Sequence, residues 1–223
     1  MMTNDLNGGA NPTTVFPPET GVWGFMENAG GALFPPTNSA FTLLPAYTVG
    51  CLDSGATVIP LLSFNCFQPF SNPGSLPLIG VAPTATITFN NGFSFLTLIQ
   101  GMPLLHPSPT SQAIVSWTSP RTQNVRILSR IADVDAKCGD GIQWGIQKDV
   151  TPGVGAALVP VAPYLAYTPL QNAASTFTVP NVAIFAGANI YFIIDKGSIG
   201  ANGLPADHLC DSTTLDILIT RLP

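Results

Sequence analysis

The sequence predicts an all-β domain, an antiparallel β-sandwich or jelly roll with Pro-rich loops and an extended N-terminal arm. Pro (22) and Gly (21) interrupt the 223-residue chain every few residues, which leaves little room for helices of ordinary length. The segments between them are short runs rich in Val, Ile, Thr and Phe, as strands usually are. This length suits one sandwich or barrel, so we expect an arm over residues 1–18 and one domain over residues 19–223.

The clearest predicted strands lie in the second half of the chain. They span residues 113–118, 124–132, 142–147, 175–179, 188–195 and 214–220. The second of these alternates, with Val125, Ile127 and Ile131 on one face and Arg126, Leu128 and Arg130 on the other. Segment 188–195 is almost continuously apolar, which predicts a central strand covered on both faces. In the last strand we expect Asp216 and Leu218 on the less buried face.

The first half gives weaker signals. Residues 21–26, 84–89 and 94–99 are strand candidates, and Asn90-Asn91-Gly92 predicts a tight hairpin turn because Asn and Gly tolerate positive φ. The stretch 35–83 contains eight prolines and is expected to be mainly loop. Such a stretch can cover a sheet face or edge, or reach across to a neighbouring molecule.

Charge is the unusual feature of the composition. Charged residues make up 9% of the chain, against about 25% in an ordinary soluble domain. With 7 Lys and Arg and a net charge of −5, the chain lacks the clustered cations that nucleic acid or an anionic membrane surface requires. The chain contains no run of 18 apolar residues, so the sequence predicts no membrane insertion.

A surface with so few charges has two explanations. Either the protein is secreted and its surface is Ser, Thr, Asn and Gln, or its surface is buried against copies of itself in a homo-oligomer or polymer. Both place it outside the cell or on a cell or particle surface. The polar N-terminus lacks the basic start and apolar stretch of a signal peptide, so the route of export stays open.

Four cysteines suit two disulfides, and their spacing is not that of a zinc site. Cys138 and Cys210 each precede an Asp-containing loop that feeds a strand, so we predict the pairs Cys138–Cys210 and Cys51–Cys66. The alternative is four buried free thiols.

The order of motifs resembles a family of extracellular jelly-roll β-sandwich modules of secreted bacterial proteins, similar to carbohydrate-binding modules. The matching pieces, in order, are GVWGF (21–25), LLHPSP (104–109), AIVSWTSP (113–120), ADVDAKCGDGIQWGI (132–146), VAIFAGANIYFIID (182–195) and DSTTLDILI (211–219). They span nearly the whole predicted domain. The resemblance implies a binding module that often accompanies hydrolases or surface anchors.

The densest polar cluster is a candidate calcium site. Asp133, Asp135 and Asp140 lie within eight residues next to glycines, and Asp211 joins them if two loops meet. Carboxylate oxygens in loops are the ligands that calcium prefers. The alternative, which we favour, is a solvated turn in which each Asp bonds its own backbone, so no cofactor is expected beyond this candidate calcium.

Exposed aromatic rings are the residues that stack on sugar rings. Trp117 and Trp144 lie on apolar strand faces and are expected in the core, as ordinary packing also explains Trp23. Tyr164 and Tyr167, in a Pro-rich stretch, are the better candidates for a polysaccharide-binding platform.

No catalytic motif is evident, and we predict that the protein is not an enzyme. There is no GxSxG elbow, HExxH or phosphate-binding Gly-rich loop, and His106 and His208 are expected to be structural. The main hypothesis is a structural subunit of an extracellular or surface assembly, such as a fibre, an appendage or a coat. The alternative is a carbohydrate-binding module of a secreted protein.

Overall fold

A computed structural model describes the parts of the chain that form the sheets. The described residues are 22–28, 41–47, 57–59, 65–69, 76–81, 86–90, 95–98, 102–134, 141–151, 154–159, 166–168, 174–196 and 208–223. The predicted arm over residues 1–18 lies outside them, so the predicted domain boundary stays a prediction.

Among these residues every regular element is a β-strand. The strands are β1 (Val22–Asn28), β2 (Phe41–Leu43), β3 (Ala46–Tyr47), β4 (Thr57–Ile59), β5 (Asn65–Phe67), β6 (Leu78–Val81), β7 (Ile87–Asn90), β8 (Phe95–Leu98), β9 (Pro103–His106), β10 (Ala113–Thr118), β11 (Gln123–Asp133), β12 (Ile142–Thr151), β13 (Val154–Val159), β14 (Ala166–Thr168), β15 (Ala174–Ile184), β16 (Asn189–Asp195) and β17 (Thr213–Arg221). The predicted all-β class is confirmed.

Two large antiparallel sheets build the sandwich. The first sheet has the order β13-β12-β16-β10-β1-β2, with β14 also paired to β12. The second sheet has the order β15-β11-β17-β9-β6-β5-β3, and a small third sheet has the order β4-β7-β8. Neighbours in the large sheets are mostly distant in sequence, as in a jelly roll.

The core lies between the inner faces of the two large sheets. Trp23, Trp117 and Trp144 are all buried there, which confirms the prediction for the last two. The Trp144 ring stacks on Phe177 of β15 with ring centroids 4.5 Å apart, so it joins the first sheet to the second. Aromatic contacts of this kind stabilise by about 1 kcal/mol beyond the area that they bury.

Strand β16 is the central strand that the sequence predicts. It lies between β12 and β10, and its apolar residues are buried on both faces. Ile190, Phe192 and Ile194 belong to the main core. Tyr191 and Ile193 belong to a second cluster on the outer face of the first sheet.

Strand β15 continues beyond its predicted end. The sequence predicts a strand that stops before Pro180, whereas β15 runs on to Ile184. The described strands pair β15 with β11 alone, so it is an edge strand, where the missing N–H of a proline costs no ladder hydrogen bond. The register also shifts near this proline, between Val125 and Ile127 of β11.

The first half contains more sheet than predicted. Five short strands, β2 to β6, lie within the stretch 35–83 that was expected to be mainly loop. They are two to four residues long, so alternation over so few positions could not reveal them. The antiparallel pairing of β7 with β8 confirms a hairpin here, while Asn91 and Gly92 of the predicted tight turn lie outside the described residues.

Of the four cysteines, Cys66 and Cys210 lie within the described residues. Both are buried, and both are disulfide-bonded. Their predicted partners, Cys51 and Cys138, lie outside the described residues. The pairing therefore stays a prediction.

Candidate functional site

The outer face of the second sheet carries a compact set of side chains, exposed except for the half-buried Leu128, here called the open face. It is formed by the outward positions of the three strands β15, β11 and β17. Its members are Arg126, Leu128, Arg130, Thr176, Thr178, Asp216, Leu218 and Thr220. They share one side of the sheet because side chains alternate between faces along a strand, while Val125, Ile127 and Leu215 point into the core.

The strand registers arrange the open face in rows across the sheet. One row runs Thr176, Arg130, Asp216, because Arg130 pairs with both of the others. The next row runs Thr178, Leu128, Leu218. In the third row Arg126 pairs with Thr220. Two apolar side chains therefore lie between rows of charges and hydroxyls.

A shallow depression of ≈ 470 Å³ lies on this face, lined in part by Leu128, Arg130, Thr176, Thr178, Asp216 and Leu218. Leu218 is 56% exposed, although it is a large apolar side chain. The depression is open to solvent, and it combines an apolar floor with a few polar groups of the kind that fix a ligand's orientation.

The charges of the open face are not used in holding the fold together. In the described part of the chain, no hydrogen bond or ion pair engages the guanidinium of Arg126 or Arg130. The same holds there for the Asp216 carboxylate, although Asp216 lies opposite Arg130 on the neighbouring strand. These groups are available to a ligand without first breaking a contact within the protein.

The outer face of the first sheet, here called the covered face, is different. Its residues are also polar in part, but they are buried: Asn28, Ile114, Ser116, Gln147, Tyr191 and Ile193. The Asp149 carboxylate accepts hydrogen bonds from the Asn189 backbone N–H and side-chain Nδ2, both at 2.9 Å. The Tyr191 hydroxyl lies 3.5 Å from the same oxygen. Polar groups here hold strands together.

A second network ties the other end of the covered face. Asn28 Nδ2 donates to Gln112 Oε1 at 3.2 Å, and Gln112 Nε2 donates to Asp195 Oδ2 at 2.5 Å. Close packing also explains Gly24, since a Cβ there would lie 2.6 Å from Ser116 Oγ. Polar groups at this end too are bonded to one another within the fold.

Two of the four predicted calcium ligands come together. Asp133 ends β11 and is 2% exposed, and Asp211 just before β17 is 0% exposed. They lie at the same end of the sheet, because Asp133 pairs with Thr213. Asp135 and Asp140 lie outside the described residues, and no group of three ligating side chains occurs within them. The calcium site stays a prediction.

The two histidines also come together, which the sequence did not predict. The ring centroids of His106 and His208 are 6.4 Å apart. His106 Nδ1 lies 2.7 Å from the Pro107 carbonyl oxygen, which only accepts, so Nδ1 carries the proton. Nearby, Cys210 has a φ of 63°, a left-handed conformation that is uncommon outside glycine. These contacts fit the structural role predicted for both histidines, and the absence of catalysis stays a prediction.

One residue of the predicted aromatic platform, Tyr167, lies on the other sheet. Tyr167 lies on β14, where its backbone pairs with Gln143 of the first sheet. Tyr164 lies outside the described residues. Tyr167 is therefore not part of the open face, and the role of both tyrosines in ligand binding stays a prediction.

Sequence reasoning placed the open-face residues of β11, and Asp216 and Leu218 of β17, on the correct face, but it did not identify them as a site. The alternation in β11 separated Arg126, Leu128 and Arg130 from the core side chains, as the structure confirms. The missed signal was the distribution of arginines: all four in the chain, Arg121, Arg126, Arg130 and Arg221, lie on β11, on β17 or on the turn before β11.

Comparison with known proteins finds distant likenesses among solved structures. No protein-family model and no curated protein matches the chain. Among solved structures, it is similar to the xylan-binding CBM22-1 domain of Paenibacillus barcinonensis Xyn10C, with 9% identity over 79% of this chain and 92% of that one, at a TM-score of 0.29. It is also similar to the GH26-CBM35 β-(1,4)-mannanase of Podospora anserina, with 14% identity over 80% of this chain and 28% of that one, at a TM-score of 0.28.

A third similar structure is the enzymatically active domain of tailspike protein 4 from bacteriophage CBA120. It is 11% identical over 54% of this chain, at a TM-score of 0.29, and this chain spans 15% of its length. Likenesses this distant carry no argument. The described strands themselves show the β-sandwich, and the resemblance to extracellular modules beyond that fold stays a prediction. Among the described residues no helix has the length and apolarity to cross a membrane.

Proposed function

We propose that this chain is a non-catalytic binding module of an extracellular protein that holds a polysaccharide on the open face. The observation that carries the proposal is the mixture of side chains there. Thr176 and Thr178 of β15 offer hydroxyls in the same depression that the exposed apolar side chain of Leu218 lines from β17. A sugar ring presents the same two chemistries, hydroxyl groups around its edge and C–H groups on its faces.

The geometry of the sheet suits an extended polymer better than a small molecule. Rows two residues apart along a strand repeat at about 6.7 Å, and neighbouring strands lie about 4.8 Å apart. Thr178, Leu128 and Leu218 therefore form a shallow floor across three strands. Such a floor contacts a chain from one side and leaves its ends free.

The test is binding to a panel of soluble polysaccharides, neutral and acidic, by affinity electrophoresis and calorimetry. We expect the wild-type protein to bind at least one of them. The double variant Thr176→Ala/Thr178→Ala should weaken that binding by about tenfold, since each lost hydrogen bond contributes about 0.5–1.5 kcal/mol.

The matched control is Thr88→Ala/Thr97→Ala. These two exposed threonines lie on β7 and β8 of the small sheet, with their hydroxyls 3.2 Å apart. The control variant should bind as the wild type does. Failure of every polysaccharide in the panel to bind, or equal loss in both double variants, would overturn the proposal.

The edge strand β15 favours a second candidate function, a structural subunit that pairs with copies of itself. None of its 11 residues is charged, and uncharged edges of this length are ready to accept another strand. Its far end is protected, because Pro180 lacks an N–H and Lys148 Nζ donates to the Ala183 carbonyl at 2.9 Å. The stretch 174–179 has no such protection within the described residues.

Light scattering tests this second candidate. Self-pairing predicts particles larger than a monomer, and Ala174→Lys should reduce their size because a charge on an edge strand opposes pairing. Ala186→Lys, the same change in the exposed turn before β16, is the control. A monodisperse monomer at high concentration would reject the assembly.

A further inference from the structure

The arginines of this chain are concentrated on two neighbouring strands and the turn that joins one of them. All four lie on β11, on β17 or on the turn that precedes β11, in a chain whose net charge is −5. Two of them, Arg126 and Arg130, belong to the open face and are exposed. Two of the 7 basic residues in the chain therefore lie on the face that we propose binds a polymer.

The two guanidinium groups are spaced along a single strand. Arg130 lies four positions after Arg126, which corresponds to about 13 Å along a β-strand. Leu128 lies between them on the same face. A ligand that lies along β11 therefore meets a cation, an apolar side chain and a second cation in turn.

Both cations are free to bind. Within the described residues neither has a hydrogen bond or an ion pair. By contrast, Lys148 is engaged by the Ala183 carbonyl. The guanidinium of an arginine that has no bond within the protein points its planar set of N–H donors to solvent. Two of these donors can bind the two oxygens of a carboxylate or sulfate at once.

We propose that the polysaccharide bound on the open face is acidic and carries uronate carboxylates that pair with Arg126 and Arg130. This inference rests on the proposed function, because it specifies the ligand of the same face. Charge complementarity selects it: the face has two cations and one anion, Asp216, in a protein that is acidic as a whole. Asp216 lies opposite Arg130 in the strand register. Its negative charge therefore offsets the positive charge of Arg130 more than that of Arg126.

The experiment measures dissociation constants for polygalacturonate and alginate, with neutral xylan and dextran as comparisons. Acidic polymers should bind more tightly than neutral ones, and added salt should weaken their binding. Arg126→Gln/Arg130→Gln should weaken binding of the acidic polymers by about tenfold or more, since charge-assisted hydrogen bonds are about twice as strong as neutral ones.

Arg221→Gln is the matched control. It removes the same charge from β17, but Arg221 pairs with the core residue Val125 and so lies on the other side of the sheet. It should leave binding unchanged. Asp216→Asn should strengthen binding of the acidic polymers by about threefold, because it removes the one anion of the face.

The outcomes separate the two proposals. Neutral polymers that bind as tightly as acidic ones, with no effect of the arginine pair, overturn the acidic ligand and leave the binding face intact. No binding by any polymer overturns both. A single-stranded DNA oligonucleotide that competes as well as polygalacturonate would also overturn the inference, since the face would then recognise polyanions in general.

Discussion

The two large sheets use the same kinds of side chain on their outer faces for opposite purposes. On the covered face the Asp149 carboxylate accepts two hydrogen bonds from Asn189, both at 2.9 Å. On the open face Asp216 lies opposite Arg130 on the adjacent strand. Its carboxylate has no hydrogen bond or ion pair with Arg130 or with any other described residue. Ile193 is 0% exposed on the first face and Leu218 is 56% exposed on the second. The comparison teaches that burial, and not residue type, decides whether a polar or apolar group serves the fold or a ligand.

The largest expected difference in stability between the two faces concerns their apolar residues Ile193 and Leu218. Ile193→Ala should lower the free energy of unfolding by about 2–4 kcal/mol, because it leaves a cavity among buried side chains. Leu218→Ala should change it by about 0.5 kcal/mol or less, as exposed substitutions usually do. Urea unfolding followed by fluorescence measures both, and equal losses would mean that the open face is packed against something in solution.

The two aspartates give the next difference. Asp149→Ala should cost about 2 kcal/mol of unfolding free energy, because hydrogen bonds to a charged group each contribute about 1.5–3 kcal/mol and part of the loss is recovered by solvent. Asp216→Ala should stay within about 0.5 kcal/mol of the wild type. If Asp216→Ala is the more harmful of the two, its carboxylate has a structural partner and the open face is misassigned.

The smallest effect concerns Glu27 of the first sheet. Burial raises the pKa of Glu27 above its ordinary value of 4.5, and a hydrogen bond with Ser111 partly opposes the rise. As the pH climbs past 4.5, the unfolded chain therefore loses this proton before the folded one, and stability falls through that window.

Glu27→Gln removes this titration. The variant should gain stability relative to the wild type as the pH rises from about 4 to about 7. Thermal unfolding of both proteins across that range measures the difference between them. A difference that is constant with pH would mean that Glu27 titrates alike in the folded and unfolded states.

The second half of the fold was predictable because its strands are long. Strand β10 was predicted at both ends, and β11, with 11 residues, gave enough alternation to assign its faces. The strands β2 to β6 were missed because two to four residues carry almost no periodic signal. Their pairing is decided by long-range contacts that no local pattern encodes.

The candidate site was predictable in its parts and not as a whole. Alternation placed Asp216 and Leu218 on the less buried side of their strand, as the structure confirms. It could not reveal that β11 lies between β15 and β17, which is what brings Arg130 level with Asp216. The search for sugar-stacking aromatic residues also drew attention to Tyr164 and Tyr167, away from a face whose apolar residues are leucines.

The position of β11 has a mechanical consequence. It pairs in antiparallel register with β15 through nine residue pairs and with β17 through nine more. A pull on a bound polymer along the strand axis would load these backbone hydrogen bonds together, in shear. A pull across the sheet would open them one after another, in peeling. A module that binds its ligand along β11 therefore resists tension along the strand axis far better than tension across the sheet.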